Sequence, residues 1–207
     1  NFWIKRYIQN KYFFKQDIKS GYLNYAITDK LPNWHASIAK NTSHCLSRTS
    51  YVINLDCDNF LHPVEVEYLL STNLLKSKIY HGFSKKWHDG TYGRIGVRRT
   101  LFFKIGGYDE KMYPMGGQDM DLLKRLIKKF KLEVISYSIK PTAVINTKND
   151  SLKCTNEPSL KWREMEKLNR YRMNSKLRRC RLGTPKKKIG VDFIKIDRQN
   201  IKYSLNE

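Results

Sequence analysis

The sequence predicts an α/β fold, a mixed sheet flanked by helices, on three observations. Stretches with apolar residues at helical spacing alternate with short β-rich runs. Gly-Gly, Asp-Gly and Pro-Asn steps punctuate the changes of period. The 207 residues are 40% hydrophobic and 13% aromatic, which fits a globular domain with its own core rather than a disordered chain.

The elements are expected in this order. Phe2 to Lys19 carries Trp3, Tyr7, Ile8, Phe13, Phe14 and Ile18 near helical spacing, and Gly21 stops it. Tyr22 to Ile27 reads as a short strand. Trp34 to Arg48 reads as a helix entered after Pro32-Asn33. Tyr51 to Leu55 is a buried strand that ends at Asp56. Pro63 opens a helix through Leu75, since proline suits a first turn. Ile79 to Phe83 is a strand, and Ile95 to Ile105 a strand and turn closed by Gly106-Gly107. Asp119 to Phe130 is a helix with Leu122, Leu123, Leu126 and Ile127 as its apolar stripe. Leu132 to Tyr137 is a strand, and Ser159 to Leu182 a basic, weakly amphipathic helix. The expected division is residues 1–150 as the α/β domain and 151–207 as a basic helix and tail.

The formal charge is +21. Such a field attracts nucleic acid, anionic lipid, acidic glycans or nucleotide diphosphates without choosing among them. Between Lys153 and Lys188 thirteen Lys/Arg stand against three Glu, so about half the excess lies in one segment. Its ordinary reading is a solvated helix. An anionic membrane surface is the next partner to consider, and nucleic acid ranks last, because no finger, helix-turn-helix or ribonucleoprotein signature accompanies the charge. No apolar run approaches the ~20 residues of a membrane span. Four separated cysteines with no zinc spacing point to reduced thiols. A cytoplasmic chain, with membrane association through the basic segment, is the expectation.

Two acidic motifs carry candidate chemistry. Asp56-Cys57-Asp58 ends an apolar strand, where side chains of open α/β sheets reach ligands. Two carboxylates two positions apart can converge on one divalent cation that bridges to diphosphate oxygens. A solvated turn is the competing reading. A phosphatase nucleophile is disfavoured, because Phe60 stands where that pattern wants Thr or Val. The second motif is Met115-Gly116-Gly117-Gln118-Asp119-Met120-Asp121-Leu122. Asp119 falls near a helix N-terminus, where it serves either as a cap or as a general base, and Asp121 reads as a first-turn charge. The loop Lys85 to Gly93, with Trp87 and His88, reads as a lid or as a hairpin with Asp89-Gly90 at its tip. His35 and His44 read as structural.

Four segments in order resemble glycosyltransferase family 2 and the C-terminal galactosyltransferase domain. They are Ala39-Lys40-Asn41, Leu55-Asp56-Cys57-Asp58, Gly106-Gly107-Tyr108-Asp109-Glu110 and Gly116-Gly117-Gln118-Asp119-Met120-Asp121-Leu122, spread over Tyr22 to Phe130. The resemblance implies a GT-A-like, Rossmann-like fold. It implies inverting transfer of a hexose or N-acetylhexosamine from a nucleotide sugar, a UDP-sugar first, to a glycan, lipid-linked or protein acceptor. Asp58 and Asp56 would hold Mn2+ or Mg2+ and the donor, with Lys40 and Asn41 also on the donor side. Asp119 would be the base, and Gly116, Gly117, Gln118, Trp87 and Tyr113 would line the acceptor side.

The chain departs from that pattern in three places. Gln118 replaces the usual Glu before the base. All five histidines precede Asp119, which leaves Asn146 or water for a third metal position. The first two strands are expected upstream of Asn1, so this chain alone is expected to bind donor poorly. The alternatives are an inactive relative that binds a glycan or a partner, and a basic binder of nucleic acid or membrane surfaces.

Overall fold

The computed structural model describes residues 16–17, 19–23, 33–56, 59, 61–72, 77–83, 91–137 and 159–175. The expected helix before residue 16, the strand residues 24–27, Cys57, Asp58, Trp87 with the rest of 84–90, Asn146 and the segment after residue 175 lie outside them. The chain divides into two compact units, Asn1–Pro32 with Val191–Glu207, and Asn33–Gly190. In the first, Gln16, Asp17, Lys19 and Ser20 are helical, and the Leu23 N–H donates to the Asp17 carbonyl at 3.0 Å just beyond Gly21.

The second unit is mixed α/β with a four-stranded mixed sheet flanked by helices. Its elements are α1 (Ala36–Leu46), β1 (Tyr51–Ile53), α2 (Pro63–Thr72), β2 (Lys78–His81), a 3-10 turn (Thr91–Gly93), β3 (Ile95–Arg98), α3 (Arg99–Lys104), α4 (Gln118–Phe130), β4 (Glu133–Ile135) and α5 (Trp162–Asn174). The strand order is β1-β3-β2-β4. β3 runs antiparallel to both neighbours, pairing Val52 with Val97 and Tyr80 with Gly96, while β2 and β4 are parallel, with Ile79 opposite Val134.

Alternation along the strands sorts residues to two faces. Val52, Ile79, Ile95 and Val97 face one core with Phe102, Ile105 and the stripe Leu122, Leu123 and Leu126 of α4. Tyr80 and Ile135 face the other, with Tyr51, Ile53, Tyr68 and Leu69 packed on them, so α2 covers that side. Leu122 and Leu126 are fully buried, and each such side chain contributes about 1.5–3 kcal/mol.

One expectation is corrected. Ile95 to Ile105 is not strand and turn throughout: β3 stops at Arg98 and α3 follows at once. The Gly106 N–H donates to the Phe103 carbonyl at 3.0 Å and the Gly107 N–H to the Phe102 carbonyl at 2.9 Å, with Gly106 at φ +83°. That is a Schellman closure, so the glycine pair ends a helix rather than a strand and turn. Among the described residues no helix is long and apolar enough to cross a membrane.

Candidate functional site

The site forms where the ends of β1, the 3-10 turn and α4 meet Lys40 of α1. Asp56 lies three residues beyond β1, its side chain 40% exposed, and Asp119 is the second residue of α4. The Lys40 ammonium joins them. Its Nζ donates to Asp119 Oδ1 at 2.9 Å and stands 3.3 Å from Asp56 Oδ1. Lys40 and Asp119 are 79 positions apart in sequence, so only folding makes them neighbours. Burial by itself pulls the Lys40 ammonium down, but Asp119 and then Asp56 outweigh it and hold its pKa above the ordinary value. One ammonium between two carboxylates leaves the group net negative, the sign a divalent cation requires.

Gly93 closes the floor of this cluster. A Cβ there would stand 3.3 Å from Asp119 Oδ2, 3.4 Å from Asp56 Oδ2 and 3.4 Å from Lys40 Nζ, so a larger residue would press on all three. Asn54 ties the floor to the wall, its Nδ2 donating to the Gly93 carbonyl at 3.1 Å and to Asp56 Oδ1 at 3.2 Å. The Tyr108 hydroxyl donates to Asp119 Oδ1 at 3.1 Å. Burial, and next the Asp119 charge, push that phenol well above its ordinary pKa, so it remains a proton-bearing donor. Tyr92, beside Gly93, is raised by burial and then by Asp119. Its ring meets His81 and Phe83 edge-on at 4.9 and 5.0 Å.

Asn41, one step along α1 from Lys40, is turned the other way. Its Nδ2 donates to the Tyr108 carbonyl at 3.0 Å and to Glu110 Oε1 at 2.8 Å, and its Oδ1 accepts the Tyr108 N–H at 2.8 Å. It is fully buried and shapes the Gly106–Glu110 turn that aims Tyr108 at Asp119. Gly116 and Gly117 both adopt left-handed φ, +87° and +84°, a region open to glycine at little cost. Gln118 is buried and donates through Nε2 to the Tyr113 carbonyl at 2.8 Å, so its amide serves the loop it starts from. Tyr113 is 36% exposed beside them. Asp121 pairs with Arg125 at 2.8 Å, and that guanidinium also donates to the Ile105 and Gly107 carbonyls.

His35 caps α1: its Nδ1 accepts the Ile38 N–H at 3.4 Å, while its Nε2–H donates to the Met112 carbonyl at 2.9 Å. The structure thus brings Lys40, Asp56 and Asp119 together, with Gly116, Gly117 and Gln118 leading into Asp119. Asp58 and Trp87 lie outside the described residues. Gly93, Asn54 and the role of Tyr108 on Asp119 were not singled out from sequence. Asn54 had a signal, sitting two positions before Asp56 on one face of an extended run, whereas Gly93 was legible only as the end of the Lys85 to Gly93 loop.

Comparison with known protein families, with curated proteins and with solved structures finds no match. The functional reading therefore rests on the residues and their geometry. As a donor set, the carboxylates of Asp56 and Asp119 suit a hard cation and already hold a cationic group in Lys40. Among the described residues no three His, Cys, Asp or Glu side chains converge, so a complete metal shell would draw on Asp58, on a ligand's own oxygens or on water.

Proposed function

We propose that this chain is a GT-A-like glycosyltransferase that moves a hexose or N-acetylhexosamine from a nucleotide sugar to an acceptor hydroxyl with inversion. The observation that carries the reading is the Lys40 bridge, which draws the acid at the strand end and the acid at the start of α4 into one cluster. Four motifs in family order support it. So does an open α/β sheet with the cluster at its strand ends, where such folds bind ligands.

Asp56 and Asp58 would hold Mn2+ or Mg2+, whose charge offsets that developing on the departing nucleotide diphosphate. Lys40 adds a second cation on the donor side, drawn from the carboxylates toward diphosphate oxygens. Asp119 accepts the proton of the incoming acceptor hydroxyl. The Tyr108 hydroxyl fixes the rotamer of that carboxylate through Oδ1. Asn41 acts indirectly, by shaping the turn that presents Tyr108. Gly116, Gly117, Gln118 and Tyr113 border the acceptor side, and Trp87 joins them in this reading.

The test is release of nucleotide diphosphate and transfer of labelled sugar by the full-length protein supplied with Mn2+ and a panel of UDP-sugars. Asp119→Asn should lower kcat by about 10²–10⁴-fold with the donor KM little changed. Asp58→Ala should abolish metal-dependent donor binding. Wild-type rates in both variants would end the proposal. Absence of calorimetric binding of Mn2+ with UDP would instead favour an inactive, glycan- or partner-binding relative.

A further inference from the structure

We propose that Asn169, on the basic helix α5, is the positioning residue that sets Asp119 through the double-glycine loop. The inference rests on the reading of Asp119 as the base, and it assigns the described part of the basic segment to the site rather than to a solvated tail.

The loop from Met112 to Gly117 delivers the chain into α4. On one side it is stitched to α1, where the His35 ring donates to the Met112 carbonyl and the Ala36 N–H donates to the Pro114 carbonyl at 3.0 Å. On the other side Asn169 of α5 holds it, alongside the bond from Gln118 to the Tyr113 carbonyl. Asn169 Nδ2 donates to the Gly116 carbonyl at 2.7 Å, the Met115 carbonyl at 3.1 Å and the Tyr113 carbonyl at 3.2 Å. Its Oδ1 accepts the Tyr113 N–H at 2.7 Å. Asn169 is 0% exposed, so none of these bonds is shared with solvent.

The backbone explains why such a clamp is needed. Two consecutive left-handed glycines have wide conformational freedom, so their own backbone does little to keep Gly116 and Gly117 in their observed state. Gly117 is the N-cap of α4 and has no side chain to cap with, although its carbonyl accepts the Asp121 N–H at 3.0 Å. The direction of the first turn, and with it the place of Asp119, therefore follows the loop. Helix α5 also sits directly on that loop. A Cβ on Gly116 would lie 2.8 Å from Glu166 Cβ and 3.0 Å from Glu166 Cα, and one on Gly117 would lie 3.7 Å from Asn169 Cβ.

Only a side chain with donor and acceptor in one short planar group meets these demands. Aspartate keeps the shape and the bond from the Tyr113 N–H, but turns a charged oxygen toward three carbonyls. Alanine removes both functions without repulsion.

The experiment compares the full chain with Asn169→Asp and Asn169→Ala by two readouts. The first is steady-state transfer with Mn2+ and a UDP-sugar. Both variants should lose about 10²-fold in kcat per folded molecule, the scale of a small misplacement of a reacting group, with donor KM within about threefold because Lys40 and Asp56 are untouched. The second is hydrogen exchange of the backbone over residues 113–119. It should accelerate at least about tenfold in both variants while β1 and β3 keep wild-type protection. Unchanged kcat, or unchanged exchange over 113–119, overturns the inference. Loss of folding in both variants also overturns it, by making Asn169 a stability residue alone. If the wild-type chain transfers no sugar, the proposed function fails, and the exchange readout still decides whether Asn169 holds the loop.

Discussion

The two carboxylates share the Lys40 ammonium, but the backbone segments that carry them are supported by different chemistry. On the strand side, Asp56 leads into a buried charge cluster. Its carbonyl accepts the Asn59 N–H at 2.9 Å, and Asn59 Oδ1 accepts from Arg94 Nε at 3.1 Å. Arg94 is 2% exposed and stands 3.5 Å from Glu65, which also accepts the Tyr80 hydroxyl. On the helix side, the surroundings of Asp119 are set by neutral amides, with Asn41 shaping the Tyr108 turn and Gln118 and Asn169 gripping the loop before α4. A buried ion pair adds little net stability but is costly to break from one side. A neutral hydrogen bond contributes about 1 kcal/mol, and its loss stays small while the partner keeps another donor. The strand arm should therefore fail sharply to single substitutions, and the helix arm by degrees.

The largest expected effect tests the charged arm. Arg94→Met strands the Glu65 carboxylate and should remove about 3–5 kcal/mol of unfolding free energy in denaturant titration. Adding Glu65→Leu should recover part of it. A loss below about 1 kcal/mol would break the contrast between the arms.

The next effect is acid sensitivity. Amides do not titrate, but His44 of α1 packs edge-on against Phe102 at 4.6 Å and above Tyr108 at 6.4 Å. Burial, and then the charge of Lys40, lower it from its ordinary 6.5 to about 4. Between those values the unfolded chain binds the proton and the folded chain does not. Stability present above pH 6.5 is thus lost as pH falls toward 4, by on the order of 3 kcal/mol. The readout is the slope of unfolding free energy between pH 7 and 4.5, which His44→Leu should flatten. An equal slope in both proteins removes His44 as the cause.

The smallest effect probes the amide arm. Gln118→Met deletes one bond to the Tyr113 carbonyl, which still accepts from Asn169, so the cost should be about 1 kcal/mol. A loss of 3 kcal/mol or more, on the scale of ~3–5 kcal/mol for a broken buried ion pair, would mean that the two arms do not differ in kind.

Much of the fold was legible because local periodicity and burial agree. The expected helix of Trp34 to Arg48 forms as Ala36–Leu46, that of Asp119 to Phe130 as Gln118–Phe130, and the strand at Tyr51 as Tyr51–Ile53. The helix Arg99–Lys104 was missed because it follows β3 without a break, so six residues of helical spacing were absorbed into a strand reading. The Gly106-Gly107 pair was the signal that should have separated them. In the site, residue types at a strand end and a helix start pointed to Asp56 and Asp119, but nothing in the sequence said that Lys40 would bridge them. Asn169 was harder still, because a lone asparagine in a basic helix looks solvated until its four backbone partners are known.

The sequence by itself determined where helices and strands alternate, which acids stand at their ends, and where glycine pairs free the backbone. Those properties are set by neighbours within a few residues. Tertiary structure alone decided which side chains share a charge and which amide holds which turn. Coulombic and hydrogen-bonding partners depend on distance in space, and packing of the sheet between its helices brought Lys40 and Asp119 from 79 positions apart to 2.9 Å.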